Sequence, residues 1–330
     1  MASEKGAGPG MTHTHSLADV QPAGPTLLTI GSFDGVHRGH QALVTDMVTR
    51  ARSLGWQTVV LTFFPHPSVV LRGRRPAFYI HRPEEKAAAL EELGVDWVIT
   101  VAFDERHAQI TATDFTRQLR RELDFRQLWC GDDFAFGHGR EGDVDWLRAR
   151  LGEFGFDLHV VAPVQQQGEV ISSSRVRAHL SSGDVAAAAR CLGRPLRVPG
   201  KVEAGTGRGR TIGVPTANLA VWEERARPAA GVYAAVAWLE DESHAAVVNI
   251  GSRPTFEDGG GITIEAHILD FNGDLYGQRL VLDFVARLRA ERKFEHAQAL
   301  GAQIKADVNA ARALLAGPEN QRHLTERSTC

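Results

Sequence analysis

One change of pattern limits what this chain can fold into. From Thr26 to about Leu192, short apolar runs alternate with helical faces; after Gly193-Arg194-Pro195, strand-like runs follow one another almost without helices. Thr26-Leu27-Leu28-Thr29-Ile30 is a buried-strand run that stops at Gly31. Leu43, Val44, Met47, Val48, Ala51 and Leu54 then recur at helical spacing up to Gly55. Gln57–Thr62, Val95–Val101, Arg126–Cys130 and Asp157–Ala162 read as further strands. Pro83–Leu93, Asp114–Leu123, Val144–Phe154, Ser173–Leu180 and Val185–Leu192 read as helices. Apolar runs separated by helices give a mostly parallel sheet covered on both faces.

In the second part, Gly231–Leu239, His244–Ile250, Ile262–Phe271 and Arg279–Leu288 read as strands, with Asn272-Gly273-Asp274 as a hairpin turn between the last two. Glu295 to Leu315 reads as one amphipathic helix. The expectation is a small antiparallel barrel closed by a terminal helix. The 330 residues suit two domains at roughly 150 residues each. The expected division is a flexible N-terminal extension over 1–25, a first domain over 26–192, a linker over 193–199, a second domain over 200–316 and a polar tail over 317–330.

Composition removes other classes. A net charge of -3, from 37 basic against 40 acidic residues, offers no basic surface for nucleic acid. The N-terminus lacks a signal peptide's apolar core, and no run of about 18 apolar residues occurs, so a cytoplasmic protein without a membrane partner is expected. Met1 and Met11 are both possible starts. Cys130, Cys191 and Cys330 are far apart, which speaks against a disulfide framework or a four-cysteine zinc site. Nothing in the sequence sets the oligomeric state.

Gly31-Ser32-Phe33-Asp34-Gly35-Val36-His37-Arg38-Gly39-His40 joins the first strand to the first helix. Backbone N–H groups at such a junction, flanked by glycines, suit phosphate oxygens. His37 and His40 lie three apart, so both can donate to charge building up on one phosphorus. Without a third ligand they make a poor zinc site; two surface histidines remain the plain alternative.

In the second domain, Gly205, Gly207, Gly209, Arg210 and Gly213 form a Gly/Arg loop before Val214-Pro215-Thr216-Ala217-Asn218. Such a loop can wrap a polyphosphate with backbone N–H groups and guanidinium charge, and no G-K-[ST] follows to make it a Walker loop. Thr216 and Asn218, two apart on an extended segment, offer oxygens to one side, as a magnesium nucleotide requires.

These segments resemble a known family, the bacterial bifunctional riboflavin kinase/FAD synthetases. Gly31–His40 is similar to the G-x-F-D-G-V-H-x-G-H form of the nucleotidyltransferase signature. Thr62-Phe63-Phe64-Pro65-His66-Pro67, Gly131-Asp132-Asp133-Phe134-Ala135-Phe136-Gly137 and Ile171-Ser172-Ser173-Ser174-Arg175-Val176-Arg177 resemble three further motifs of the adenylyltransferase half. Pro215-Thr216-Ala217-Asn218 resembles the kinase motif, supported by Gly231-Val232-Tyr233, Val248–Gly251, Arg253-Pro254-Thr255 and Asp270–Gly277. The likeness spans about residues 26–315.

The resemblance implies a Rossmann-like nucleotidyltransferase domain followed by a riboflavin kinase barrel. It implies that ATP and riboflavin give FMN, that a second ATP and FMN give FAD and pyrophosphate, and that Mg2+ serves both steps. ATP would meet Gly31, Phe33, Asp34, His37, Gly39, His40, Ser173, Ser174 and Arg177 in the first domain. There the flavin would meet Pro65, His66, Pro67 and Asp133. In the second domain, ATP would meet the glycine loop with Arg210, Pro215, Thr216 and Asn218, the last two holding the metal. Glu265 would be the kinase base, and His267 a structural neighbour.

Read without the family, Glu265 is an ordinary solvated strand residue, Ser173 and Ser174 cap a helix, and Arg72-Gly73-Arg74-Arg75 is either a clamp on a flavin phosphate or ring or a solvated loop. Two positions depart from the family pattern: Phe64 stands where an acidic residue is common, and Ser174 replaces threonine. The rival functions are a nucleotidyltransferase for another phosphorylated acceptor and a non-catalytic flavin- or nucleotide-binding regulator.

Overall fold

The computed structural model describes residues 10–73, 78–204, 214–252, 262–317 and 320. Their contacts separate two compact units, one made of 10–73 and 81–172, the other of 78–80 and 173–320.

The first unit is a sheet of six parallel strands. Their spatial order is Thr12–Thr14, Trp97–Ala102, Gln57–Phe64, Thr26–Ile30, Phe125–Gly131, Asp157–Val161. Side chains alternate between the faces. Leu28, Val59 and Leu61 pack under the helix Ala112–Leu123, while Leu27, Val60 and Val98 pack under the helices Arg38–Leu54 and Pro83–Glu91. Both faces are buried, so the strands read as continuous apolar runs. Going outward, the order reverses beside Thr26–Ile30. In open α/β sheets ligands bind at such a switch point, outside the carboxyl ends of the strands.

The second unit is a closed antiparallel barrel of Leu196–Glu203, Ala217–Ala220, Ile262–Ile268, Glu242–Ser252, Gly231–Leu239 and Arg279–Arg289, in that order. All nine residues of Gly231–Leu239 are buried. One face, with Val232, Ala234, Val236 and Trp238, packs on Ala311 and Leu315 of the closing helix Ala297–Leu315. The other face turns toward the barrel interior. The helices Ser173–Ser182 and Val185–Leu192 belong to this unit. Arg287 fastens the first of them by donating to Ser182 O at 3.1 Å.

Several expectations are corrected. Part of the expected N-terminal extension is structured: Thr12–Thr14 pairs with Trp97–Ala102, and Leu17 and Val20 are buried in the core. A three-residue strand of alternating Thr and His leaves no apolar pattern to read. The expected linker carries the start of a barrel strand, Leu196–Glu203, which Pro195 and Pro199 disguise. Contacts separate the units at Ser172/Ser173 rather than at residue 193. The single helix expected over Val144–Phe154 is two, broken at Arg150. Asn272-Gly273-Asp274 is not a hairpin turn, because Ile262–Ile268 and Arg279–Arg289 are not neighbours in the barrel. That connection crosses to another strand, and Asp274 Oδ1 shapes it by accepting from the Tyr276 N–H.

Candidate active sites

In the first unit the loops at the carboxyl ends of the central strands converge at the switch point. His37 is the N-cap of Arg38–Leu54, its Nδ1 accepting the His40 N–H in a long contact of 3.4 Å. With Nδ1 accepting, a neutral His37 carries its proton on Nε2. The His37 and His40 rings stack with centroids 3.6 Å apart, and Phe33 flanks His40 at 4.9 Å. A Cβ at Gly39 would lie 3.2 Å from the His37 ring and 3.6 Å from the Ile171 carbonyl, so a side chain there would crowd the stacked pair. Burial holds the pKa of His40 well below the usual imidazole value, and His37, Lys86 and His81 add to the shift. His40 is therefore neutral at pH 7, and its buried Nδ1 has no partner among the described residues.

The loop is strained. Phe33 and Val36 sit at φ 46 and 39 beside Gly35 at φ 81, and a β-branched residue rarely adopts that region. Bonds from behind hold it in place. Gly31 N–H donates to Leu61 O at 3.0 Å, Thr62 Oγ1 to Ser32 O at 3.0 Å, and Gln41 Nε2 to Val36 O at 2.8 Å. Asp34, 3% exposed, accepts the His81 N–H at 3.1 Å. Lys86 was not singled out from sequence. It is buried in the helix Pro83–Glu91, its Nζ donating to Ser32 O at 2.9 Å and to Thr62 Oγ1 at 2.8 Å.

The expected flavin residues lie on neighbouring loops. Pro65, His66 and Pro67 form the turn after Gln57–Phe64, where His66 Nδ1 caps the helix Pro67–Arg72 by accepting the Ser68 N–H at 3.1 Å. Asp133 is exposed after Phe125–Gly131. Near these strand ends Phe63, Phe103 and His107 pack at 5.6–6.2 Å between ring centroids. Phe63 belongs to the Thr62–Pro67 motif, whereas Phe103 and His107 lie in no motif and were not singled out from sequence. Ser173, Ser174 and Arg177 stand on the first helix of the second unit. There Arg177 lies over the Phe78 ring at 3.9 Å and its Nε donates to Phe78 O at 2.8 Å.

On the barrel, strand register aligns the kinase candidates. Glu265 lies directly opposite Asn218 on one neighbouring strand and Asn249 on the other. Residues opposite one another in antiparallel strands share a face, so the three side chains form one row. Ile264, Ala266 and Ile268 are buried on the other face. Asn249 was not singled out as a site residue; its place opposite Glu265 needs the register. His267 Nδ1 donates to Pro215 O at 2.8 Å, tying the Pro215–Asn218 segment to Glu265's strand. Beside this segment a cavity of about 280 Å³ is lined by Pro215, Thr216, Ala217, Phe271 and Tyr276, among others; Glu265 is not among its walls. Gly205, Gly207, Gly209, Arg210 and Gly213, and likewise Arg253-Pro254-Thr255, lie outside the described residues.

Thr216 and Asn218 present hard oxygen donors two residues apart, a set that suits Mg2+ shared with nucleotide phosphates. Among the described residues no cluster of three His, Cys, Asp or Glu side chains offers an all-protein metal site.

An α/β unit with a stacked histidine pair at its switch point, followed by a closed barrel with a polar row, fits a class of two-part nucleotide-using enzymes. The FAD synthetase family matches residues 20–175 and the riboflavin kinase family residues 192–315. The bifunctional riboflavin kinase/FMN adenylyltransferase of Pseudomonas fluorescens is 40% identical, covering 87% of this chain and 92% of its own. The enzyme of the same description from Escherichia coli K12 is 38% identical, covering 90% and 95%. The chain belongs to the bifunctional riboflavin kinase/FMN adenylyltransferase family. A solved structure described as a macrolide-efflux protein from Streptococcus pneumoniae shares the architecture, with a TM-score of 0.85 at 30% identity over 92% of this chain and 98% of that one. Among the described residues of the present chain, no helix is long and apolar enough to cross a membrane.

Proposed function

We propose that this chain makes FAD from riboflavin in two steps, each on its own unit. On the barrel, Glu265 takes the proton of the terminal ribityl hydroxyl as that oxygen attacks the γ-phosphorus of ATP; ADP leaves and FMN forms. Such positioned proton transfer contributes typically about 10²–10⁴-fold in rate. Thr216 and Asn218 are the residues to hold Mg2+, which when bound neutralises phosphate charge. The cavity beside Thr216, with Phe271 and Tyr276 in its wall, suits a nucleotide base.

On the sheet, an FMN phosphate oxygen attacks the α-phosphorus of the second ATP. The bond to the β-phosphate breaks and pyrophosphate leaves. The nucleophile is already an anion, so no carboxylate base is required. His37 and His40 donate hydrogen bonds to the phosphate oxygens, and backbone N–H groups of the loop complete the cradle. The family resemblance adds Pro65, His66, Pro67 and Asp133 for the flavin.

What supports this reading is that each unit gathers its own candidate residues: the stacked His37/His40 pair at the switch point and the Asn218–Glu265–Asn249 row on the barrel. Incubating the pure protein with riboflavin, ATP and Mg2+ and separating the flavins tests it. FMN followed by FAD is expected. Unchanged riboflavin would remove the kinase assignment, and FMN without FAD the adenylyltransferase assignment.

A further inference from the structure

A lysine buried inside an α/β core is costly, and here the cost has a local purpose. Lys86 is 6% exposed on a helix whose neighbouring Ala87, Ala89 and Leu90 are also buried. An apolar residue would satisfy that packing with no charge to desolvate. Its Nζ reaches instead to the back of the His37/His40 loop, closing a triangle with Ser32 O and Thr62 Oγ1 at 2.9 and 2.8 Å, while Thr62 Oγ1 itself donates to Ser32 O at 3.0 Å. Ser32 immediately precedes Phe33, the first of the two strained non-glycine residues. Strain of this kind persists only where surrounding bonds over-determine the backbone.

We infer that Lys86 is a positioning residue for adenylyl transfer: its ammonium clamps the Ser32 carbonyl, fixes the strained Phe33–Val36 turn, and so sets where His37 and His40 present themselves to phosphate. The inference rests on the reading of Gly31–His40 as the adenylyl-transfer site. A fixed cation behind a loop that binds polyphosphate also favours the ligand electrostatically, which an apolar or neutral clamp would not do. The charged and titratable groups facing this ammonium are Asp34 of the loop, His40 of the first helix and His13 of the edge strand. Asp34 favours the charged form, but burial outweighs it and brings the lysine down to about 8. The clamp therefore weakens as the pH rises through that value.

The test compares kcat/KM for FMN adenylylation from pH 6 to 10 in the wild type, Lys86→Met and Lys86→Arg. Thermal unfolding of the same preparations reports whether the α/β unit is intact, and their riboflavin kinase activity reports the barrel. The wild type should show an alkaline limb near pH 8. Lys86→Met should lose about 10²-fold at pH 7, the scale of a misplaced catalytic group, and should lose the limb, while its kinase activity stays unchanged. Lys86→Arg should recover part of the rate, with the limb moved beyond pH 10, because guanidinium stays charged. Lys86→Met within twofold of the wild type would overturn the inference. So would a lowered rate that keeps the wild-type pH profile, the mark of a merely structural residue. A wild-type profile without a limb between pH 7 and 9 overturns it with no variant needed. If His37→Ala/His40→Ala leaves FMN conversion intact, it is the underlying site reading that falls.

Discussion

At the scale of single residues, the two units place buried charge to different ends. Asp283 is 4% exposed and accepts Arg197 Nε and Nη2 at 2.8 and 2.6 Å and Trp238 Nε1 at 2.9 Å. Removing one partner strands the other charge in the barrel, so Asp283→Ala should lower unfolding free energy by about 3–5 kcal/mol in urea titration. Among the described residues no carboxylate is bonded to Lys86, which behaves in the opposite sense. Its pKa falls from 10.5 in the unfolded chain to about 8 in the fold. A depressed value means that the native state binds fewer protons between those limits. Stability through this group is thus fully present above 10.5 and lost as pH falls through about 8, by roughly 3 kcal/mol at 1.36 kcal/mol per unit. In denaturant unfolding, the free energy of the wild type should rise relative to that of Lys86→Met as pH goes from 8 to 10. A pH-independent difference would contradict the assignment. In sequence this lysine was illegible: on a helix it reads as solvated, and only the sheet beneath and the loop above it bury it.

At the scale of elements, legibility followed the strength of the local pattern. Thr26–Ile30, Val185–Leu192 and Gly231–Leu239 have the bounds that their apolar runs and flanking glycines imply. Thr12–Thr14 and Leu196–Glu203 were hidden because their order comes from partners distant in sequence: Trp97–Ala102 for one, Arg279–Arg289 for the other. The Asn272-Gly273-Asp274 signal was a true turn signal attached to the wrong topology, since turn chemistry is local and barrel order is not. Close approach between elements was equally unreadable. Gly137 sits at φ 76, and a Cβ there would lie 2.6 Å from Ala112 N at the start of the helix Ala112–Leu123. Gly137→Ala should therefore push the Gly131–Gly137 loop off that helix and cost about 1–3 kcal/mol. FMN adenylylation should fall while riboflavin phosphorylation holds, a split that parallel assays of the two activities would reveal.

For the whole molecule, the motifs told more than the boundaries did. Two sets of loop motifs in the expected order were enough to recognise the family, because loops that touch phosphate have few chemical solutions. Where one unit stops and the next begins was not readable: the helices over 173–192 look like a continuation of the α/β pattern but pack with the barrel. The alignment of Asn218, Glu265 and Asn249 also needed the fold, since it depends on the register of three strands. On the function proposed above, one chain carries two separable chemical sites. Glu265→Gln keeps the side chain's size and removes its basicity, so it tests that claim most directly. Supplied with riboflavin, ATP and Mg2+, the variant should form no FMN. Supplied with FMN instead, it should make FAD at the wild-type rate. Equal loss of both conversions, or unimpaired FMN formation, would rule out two separable sites with Glu265 as the kinase base.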